Sequence, residues 1–140
     1  METLIDDWRA RIAAAAGSGG KLAIRGGGSK CFYGGPETGE RLDVAAYRGI
    51  VAYEPSELVV TARAGTGLRE LAATLAAKGQ GLVFEPPHFG AAATLGGMLA
   101  TGLSGPRRQA VGAVRDFVLG VKLLNGSGEV LSFGGQVMKN

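Results

Sequence analysis

The sequence is short of the side chains that carry most protein chemistry. It has one cysteine, Cys31, and one histidine, His88. A lone thiol excludes an internal disulfide and suits a reducing, cytoplasmic compartment. One His and one Cys far apart in sequence do not give metal-ligand spacing. No G-x-S-x-G stretch accompanies His88, so the nucleophile elbow of a hydrolase is missing, and His88 reads as a loop histidine. Aromatic residues make up only 6%, net charge is +3, and Arg107-Arg108 is the only adjacent basic pair. That excludes the basic, aromatic-studded surface expected of a nucleic-acid binder. No apolar run approaches the roughly 20 residues of a membrane span. The N-terminal stretch METLIDDWRARIAAAAGSGG is interrupted by Asp6, Asp7, Arg9 and Arg11, and so does not read as a signal peptide.

Two nucleotide-binding motifs are also missing. There is no G-x-x-x-x-G-K-[ST] phosphate loop. Gly65-Thr66-Gly67-Leu68-Arg69-Glu70 stands where a G-x-G-x-x-G fingerprint would, but Glu70 replaces its third glycine. A carboxylate there opposes both pyrophosphate binding and close helix–strand packing.

What is abundant is glycine, 25 residues in clusters of two or three. Clustered glycine marks backbone that takes positive φ or approaches something closely. The remaining pattern is mixed. Leu4, Ile5, Trp8 and Ile12 recur at helical spacing, and the spacing predicts a helix over 3–16 ended by Gly17. KLAIR (21–25) predicts a brief buried strand and ERLDV (40–44) another. GIVAYEP (49–55) and LVVTARAG (58–65) flank Pro55-Ser56-Glu57 and predict a hairpin. Thr66 is placed to cap a helix through LRELAATLAAKG, with Gly79 as its stop. LVFEP (82–86) predicts an extended piece. Thr94 is placed to cap a short helix over 94–101. DFVLGVKLLN (116–125) alternates, predicting a strand from Asp116, and Asn125-Gly126-Ser127-Gly128 turns it into EVLSF (129–133). The order predicts an α+β fold, not a doubly wound parallel sheet.

Two glycine clusters carry the functional reading. RGGGSKCFYGG (25–35) follows a strand. Its successive N–H groups can form an anion-binding nest at Gly26, Gly27 and Gly28, with Ser29 adding a hydroxyl and Arg25 or Lys30 a charge. Taken alone, it reads equally as a mobile loop. ATLGGMLATGLSG (93–105) adds Thr94 and a helix N-terminus, a second place for phosphate oxygens. Two such sites suit a long ligand with a central pyrophosphate.

With ELVVTARAGTGLRELAATLAAKGQGL and the run from FEPPHFGAAATLGG to GGQVMKN, these segments resemble the FAD-binding domain of the vanillyl-alcohol oxidase / p-cresol methylhydroxylase family. Within it they are most similar to the FAD-binding subunits of bacterial glycolate oxidases. The likeness covers nearly the whole chain. It implies a two-lobed α+β FAD-binding fold, with residues 1–80 as the small lobe, residues 81–140 opening the larger one, and no substrate-capping domain. It further implies that Arg25, Gly26, Gly27, Gly28, Ser29 and Lys30 wrap the pyrophosphate. Pro87, Thr94, Gly96, Gly97, Thr101 and Ser104 would line the other side of the cofactor, and Asp116 and Val118 would open a strand near the adenine.

Many members tether FAD through a His just after the first glycines. Ser29 and Lys30 stand there, so the resemblance implies noncovalent FAD. Family members are longer, so the chain reads as a fragment whose last hairpin keeps an exposed edge and which retains little flavin alone. The implied activity is FAD-dependent oxidation of a small 2-hydroxy acid, with hydride passing from the α-carbon to flavin. The implied partners are glycolate-oxidase-like subunits, a second flavoprotein and an iron–sulfur subunit, which would hold a cytoplasmic chain at the inner membrane. The alternative is a non-catalytic electron relay or scaffold subunit.

Overall fold

The computed structural model describes residues 1–137; Met138, Lys139 and Asn140, which end the GGQVMKN motif, lie outside the described residues. Helix α1 spans Glu2–Ser18 and ends at Gly19, whose left-handed backbone (φ 69°) returns its N–H to the Ala15 carbonyl. This extends the predicted helix by one residue at the start and two at the end. Its covered stripe is the predicted one: Trp8 is buried, and Leu4, Ile5 and Ile12 are partly buried. Trp8 meets Tyr47 edge-on at 5.7 Å between ring centroids.

Strands β1 (Leu22–Arg25) and β2 (Glu40–Asp43) pair in parallel, Leu22 opposite Glu40 and Arg25 opposite Asp43. A parallel pair needs a long connection, usually a helix. Here the glycine loop makes that connection, and α1 braces the pair. Arg11 donates to the Glu40 carboxylate (2.6 Å) and to the Arg41 carbonyl (2.6 Å). The expected burial of β1 is only half met: Leu22 and Ala23 are partly covered, but Ile24 is 74% exposed. Leu42, its partner across the ladder, is buried, so the cover on that side does not extend over Ile24.

Strands β3 (Ile50–Glu54) and β4 (Val59–Ala62) form the expected antiparallel hairpin. One 3₁₀ turn, Pro55–Glu57, joins them, and the Glu54 carboxylate accepts from the Ser56 N–H and hydroxyl. Helix α2 (Leu68–Ala76) begins one residue later than a Thr66 cap requires; Gly67 is its N-cap and Thr66 does not cap it. The fully buried Thr66 hydroxyl instead accepts from the Gly49 N–H (2.9 Å) and faces the Gly49 carbonyl at 3.3 Å. It ties the start of β3 to the α2 approach. The helix stops before Gly79, which takes φ 68° in the following turn.

In place of the expected extended piece, the chain turns at Val83 and Phe84, with the Glu85 N–H donating to the Leu82 carbonyl at 3.1 Å. Phe84 points inward there and is 2% exposed. Helix α3 (Leu95–Thr101) is capped as expected, with the Thr94 hydroxyl accepting from the Gly97 N–H at 3.1 Å. Short helices α4 (Arg108–Val111) and α5 (Val114–Phe117) follow.

The strand expected from Asp116 does not begin there. Asp116 lies inside α5, where its carboxylate accepts from the Ala113 N–H at 2.7 Å, and Val118 is the residue just past that helix. A carboxylate in a first turn that satisfies an upstream amide favours helix locally over the strand alternation. The strand, β5, runs from Gly120 to Leu124 and pairs antiparallel with β6 (Val130–Gly134). Opposed pairs Val121–Phe133 and Leu123–Leu131 give this hairpin one apolar face, on which Val121, Leu123 and Phe133 remain 36–54% exposed.

The main core joins Leu68 of α2, Phe84, Ala93, Met98 of α3 and Val114 of α5, with Leu82, Leu95 and Val111 against it. Phe84 is its largest fully buried side chain and also meets Phe117 at 5.1 Å. Phe84→Ala is expected to cost about 3–5 kcal/mol, read as a lower urea midpoint at unchanged slope. A loss under about 1 kcal/mol would show that Phe84 does not hold α2 to α3.

Candidate functional site

Three chain reversals meet in one place: the glycine loop after β1, the approach to α2, and the approach to α3. The contacts are too close for side chains. A Cβ on Gly26 would lie 2.9 Å from the Thr94 hydroxyl, and a Cβ on Gly27 would overlap the Ala92 carbonyl. On the other flank, a Cβ on Gly96 would lie 2.9 Å from that of Ala64. Hydrogen bonds lock the second and third reversals together. The Leu68 N–H donates to Ala93, the Leu95 N–H to Thr66, and the Gly96 N–H to Ala64, all at 2.7–2.9 Å. The two glycine clusters that the sequence singled out are therefore in contact.

They are not equivalent. The second was expected to offer amides at a helix N-terminus. Its first-turn amides are already engaged: Leu95 and Gly96 with the carbonyls just named, and Gly97 with the Thr94 hydroxyl. Gly96 serves packing against Ala64, so this helix end offers no free first-turn donor. The Thr101 hydroxyl faces the Gly97 and Met98 carbonyls of its own helix at 3.0 and 3.2 Å.

The first cluster is the reverse case. Among the described residues, no acceptor reaches the N–H groups of Gly26, Gly27, Gly28, Ser29 or Lys30. Five successive partly buried residues whose amides find no partner within the chain leave those donors to water or to a ligand. Gly28 turns the loop at φ 69°, and the Arg25 guanidinium packs beneath it: a Cβ on Gly28 would lie 2.7 Å from Nη2. Arg25 also pairs with Glu37 at 3.4 Å. Its charge is thus partly balanced and props the loop from below. The Lys30 ammonium is partly buried, and no carboxylate among the described residues lies within ion-pair distance. Burial lowers its pKa below the usual 10.5. It is a partly desolvated cation beside unpaired amides.

Other expected positions are spread more widely. The Ser104 hydroxyl is buried with no hydrogen-bond partner. Its neighbourhood is stapled to the Phe84 turn, with Gly105 N–H to the Phe84 carbonyl (2.8 Å) and Arg107 N–H to the Glu85 carboxylate (3.0 Å). Pro87 lies between two non-glycine residues with left-handed backbone, Glu85 and Phe89 (both φ 51°). Asp116 is occupied in capping α5, and Val118 is 37% exposed. No group of three metal-binding side chains occurs among the described residues.

Sequence reasoning missed Ala92, Ala64 and Glu37. The alanine run before Thr94 was the available signal, since small residues permit backbone contact. Glu37 had none, because its meeting with Arg25 depends on the loop's path.

Residues 3–134 match the FAD binding domain. The chain belongs to that family. As an FAD binding domain it has relatives of known name. It is 57% identical over 119 residues to the glycolate oxidase subunit GlcE of Escherichia coli (strain K12), covering 85% of this chain and 34% of that protein. It is 34% identical to a D-lactate dehydrogenase of Archaeoglobus fulgidus, covering 84% of this chain and 26% of the relative. This FAD binding domain thus spans about a third or less of the length of those relatives. Two solved structures share the fold at low identity. Alkyldihydroxyacetonephosphate synthase has a TM-score of 0.68 at 19% identity, over 94% of this chain and 26% of that one. Phl p 4.0202, a glucose dehydrogenase, has 0.74 at 17%, over 92% and 27%. FAD is the family's cofactor, and the residues present fit it: a run of amides without partners in the chain and a cation beside it are what a pyrophosphate can satisfy.

Gly27→Ala is expected to destabilise the chain by about 1–3 kcal/mol or more through overpacking against Ala92. Gly35→Ala, in the same loop with open space around it, is expected to be neutral to slightly stabilising. Thermal melts of the two variants test this, and equal melting temperatures would remove the close approach from the account.

Proposed function

We propose that the chain is the FAD-holding part of a flavin-dependent 2-hydroxy acid oxidoreductase of the glycolate oxidase kind. The observation that carries this reading is the run of unpaired amides from Gly26 to Lys30. The GlcE relative at 57% identity supports the substrate class. When bound, FAD supplies the acceptor for a hydride from the substrate α-carbon.

This chain's own residues bind and orient. The amides of Gly26, Gly27, Gly28 and Ser29 donate to the pyrophosphate, and Lys30 neutralises part of its charge. Arg25 holds the turn from beneath. The Ser104 hydroxyl gains its missing partner from the cofactor. Thr94, Gly96, Gly97, Thr101 and Pro87 shape the facing wall by packing. Ser29 and Lys30 offer no imidazole for a tether, so the cofactor is held noncovalently. Residues 1–80 form the small lobe and 81–140 open the larger one. Electrons leave through partner subunits, a second flavoprotein and an iron–sulfur protein, on the cytoplasmic face of the inner membrane. Among the described residues, no helix is long and apolar enough to cross a membrane.

Titrating FAD into the protein while following flavin fluorescence is expected to give saturable quenching. Lys30→Gln should weaken binding about tenfold, the scale of one charge-assisted hydrogen bond. Without FAD the same change should raise the melting temperature at pH 7. The folded-state pKa of Lys30 is depressed below 10.5, so at neutral pH its charge penalises folding. That penalty fades as pH rises from the lowered value to 10.5, and the gain in Lys30→Gln should fade with it. A nucleotide other than FAD that alone raises the melting temperature would overturn the flavin reading. Anaerobic bleaching of bound flavin by glycolate tests the activity. Bleaching only after partner subunits are added would instead favour the electron-relay reading.

A further inference from the structure

The two loops at the site run alongside each other in opposite directions. Gly26 lies against Thr94, and Gly27 against Ala92. Further out, Phe32 meets Phe89 edge to face, with centroids 5.0 Å apart and planes at 70°. Both rings stay in contact with water, Phe32 at 66% and Phe89 at 51% exposed. Neither belongs to the main core, so core packing does not account for their meeting.

Phe89 also sits in left-handed backbone at φ 51°. For a bulky side chain that conformation costs on the order of 1–3 kcal/mol and persists only where its surroundings impose it. Phe32, for its part, lies within a turn closed by the Tyr33 N–H donating to the Lys30 carbonyl at 2.9 Å. The ring contact therefore acts directly on the turn that starts at Lys30.

We propose that Phe32 and Phe89 form an aromatic clasp, a pair of positioning residues. It fastens the outer end of the two-loop seam and so fixes the unpaired amides and Lys30 for pyrophosphate. The proposal rests on the flavin reading for its ligand, but the clasp itself exists without one.

The test uses Phe32→Ala, Phe89→Ala, the double variant and Phe32→Tyr. Both positions are exposed, so the fold should survive, and circular dichroism verifies that. Each alanine variant is expected to raise the Kd for FAD about two- to tenfold, the scale of one aromatic pair. The double variant should be no worse than the weaker-binding single, because one interaction is lost only once. Phe32→Tyr should restore binding.

Cys31, the chain's one cysteine and exposed, gives a second readout free of cofactor. Its rate of maleimide labelling should rise in each alanine variant and in the double alike, and fall back in Phe32→Tyr. Unchanged labelling, or losses that add in the double variant, would overturn the clasp. Faster labelling with unchanged Kd would overturn its positioning role. If the parent protein binds no FAD, the flavin reading fails, and labelling alone decides whether the clasp holds the loop.

Discussion

The structure depends on one close approach, backbone against backbone, where Gly27 passes the Ala92 carbonyl with no room for a methyl group. From that contact the glycine loop takes its path across the parallel β1–β2 pair. The same strip of chain, Ala92 to Gly96, bonds to the α2 approach and carries Ala93 into the main core. A loop that would otherwise wander is thereby bolted to the best-packed part of the molecule. Its amides stay unpaired because they are held by their neighbours' packing rather than by hydrogen bonds of their own.

The two glycine clusters divide the work. In the second, small residues let helix α3 lie against Ala64, and every amide that helix could have offered in its first turn is already used. In the first, small residues leave donors open. Similar composition thus yields a bolt in one place and a socket in the other. Arg25 belongs with the bolts, since it is paired with Glu37 and lies beneath Gly28, whereas Lys30 has no such partner among the described residues.

Much of this was legible in the sequence. Periodicity gave α1, the β3–β4 hairpin, α2 and α3, and turn chemistry gave the Asn125–Gly128 reversal. The family resemblance implies two glycine clusters on opposite sides of a cofactor; the direct contact of Gly26 and Gly27 with Thr94 and Ala92 was not part of that expectation. Where one local signal misled, a competing hydrogen bond had won. Thr66 looks like a cap, but Gly49 takes its hydroxyl. Asp116 looks like the first residue of an alternating strand, but its carboxylate closes α5. The free N-terminus expected of α3 vanished because carbonyls distant in sequence reached it first. The partners of Thr66, Leu95 and Gly96 lie far off in sequence, whereas Asp116 closes onto Ala113 only three residues upstream.

Helix α1 has a role beyond its own burial. Arg9 reaches the Gly128 carbonyl in the last hairpin turn, and Arg11 holds the β1–β2 ladder, so one helix grips both early and late parts of the chain. Its buried Trp8 is the sole indole, set against Tyr47, whose ring in turn carries the Arg63 guanidinium at 5.6 Å. The protein therefore carries a built-in optical gauge. Ultraviolet emission from that one fluorophore follows whether the helix is seated, and its neighbour Tyr47, whose carbonyl accepts from the Gly65 N–H, borders the approach to α2.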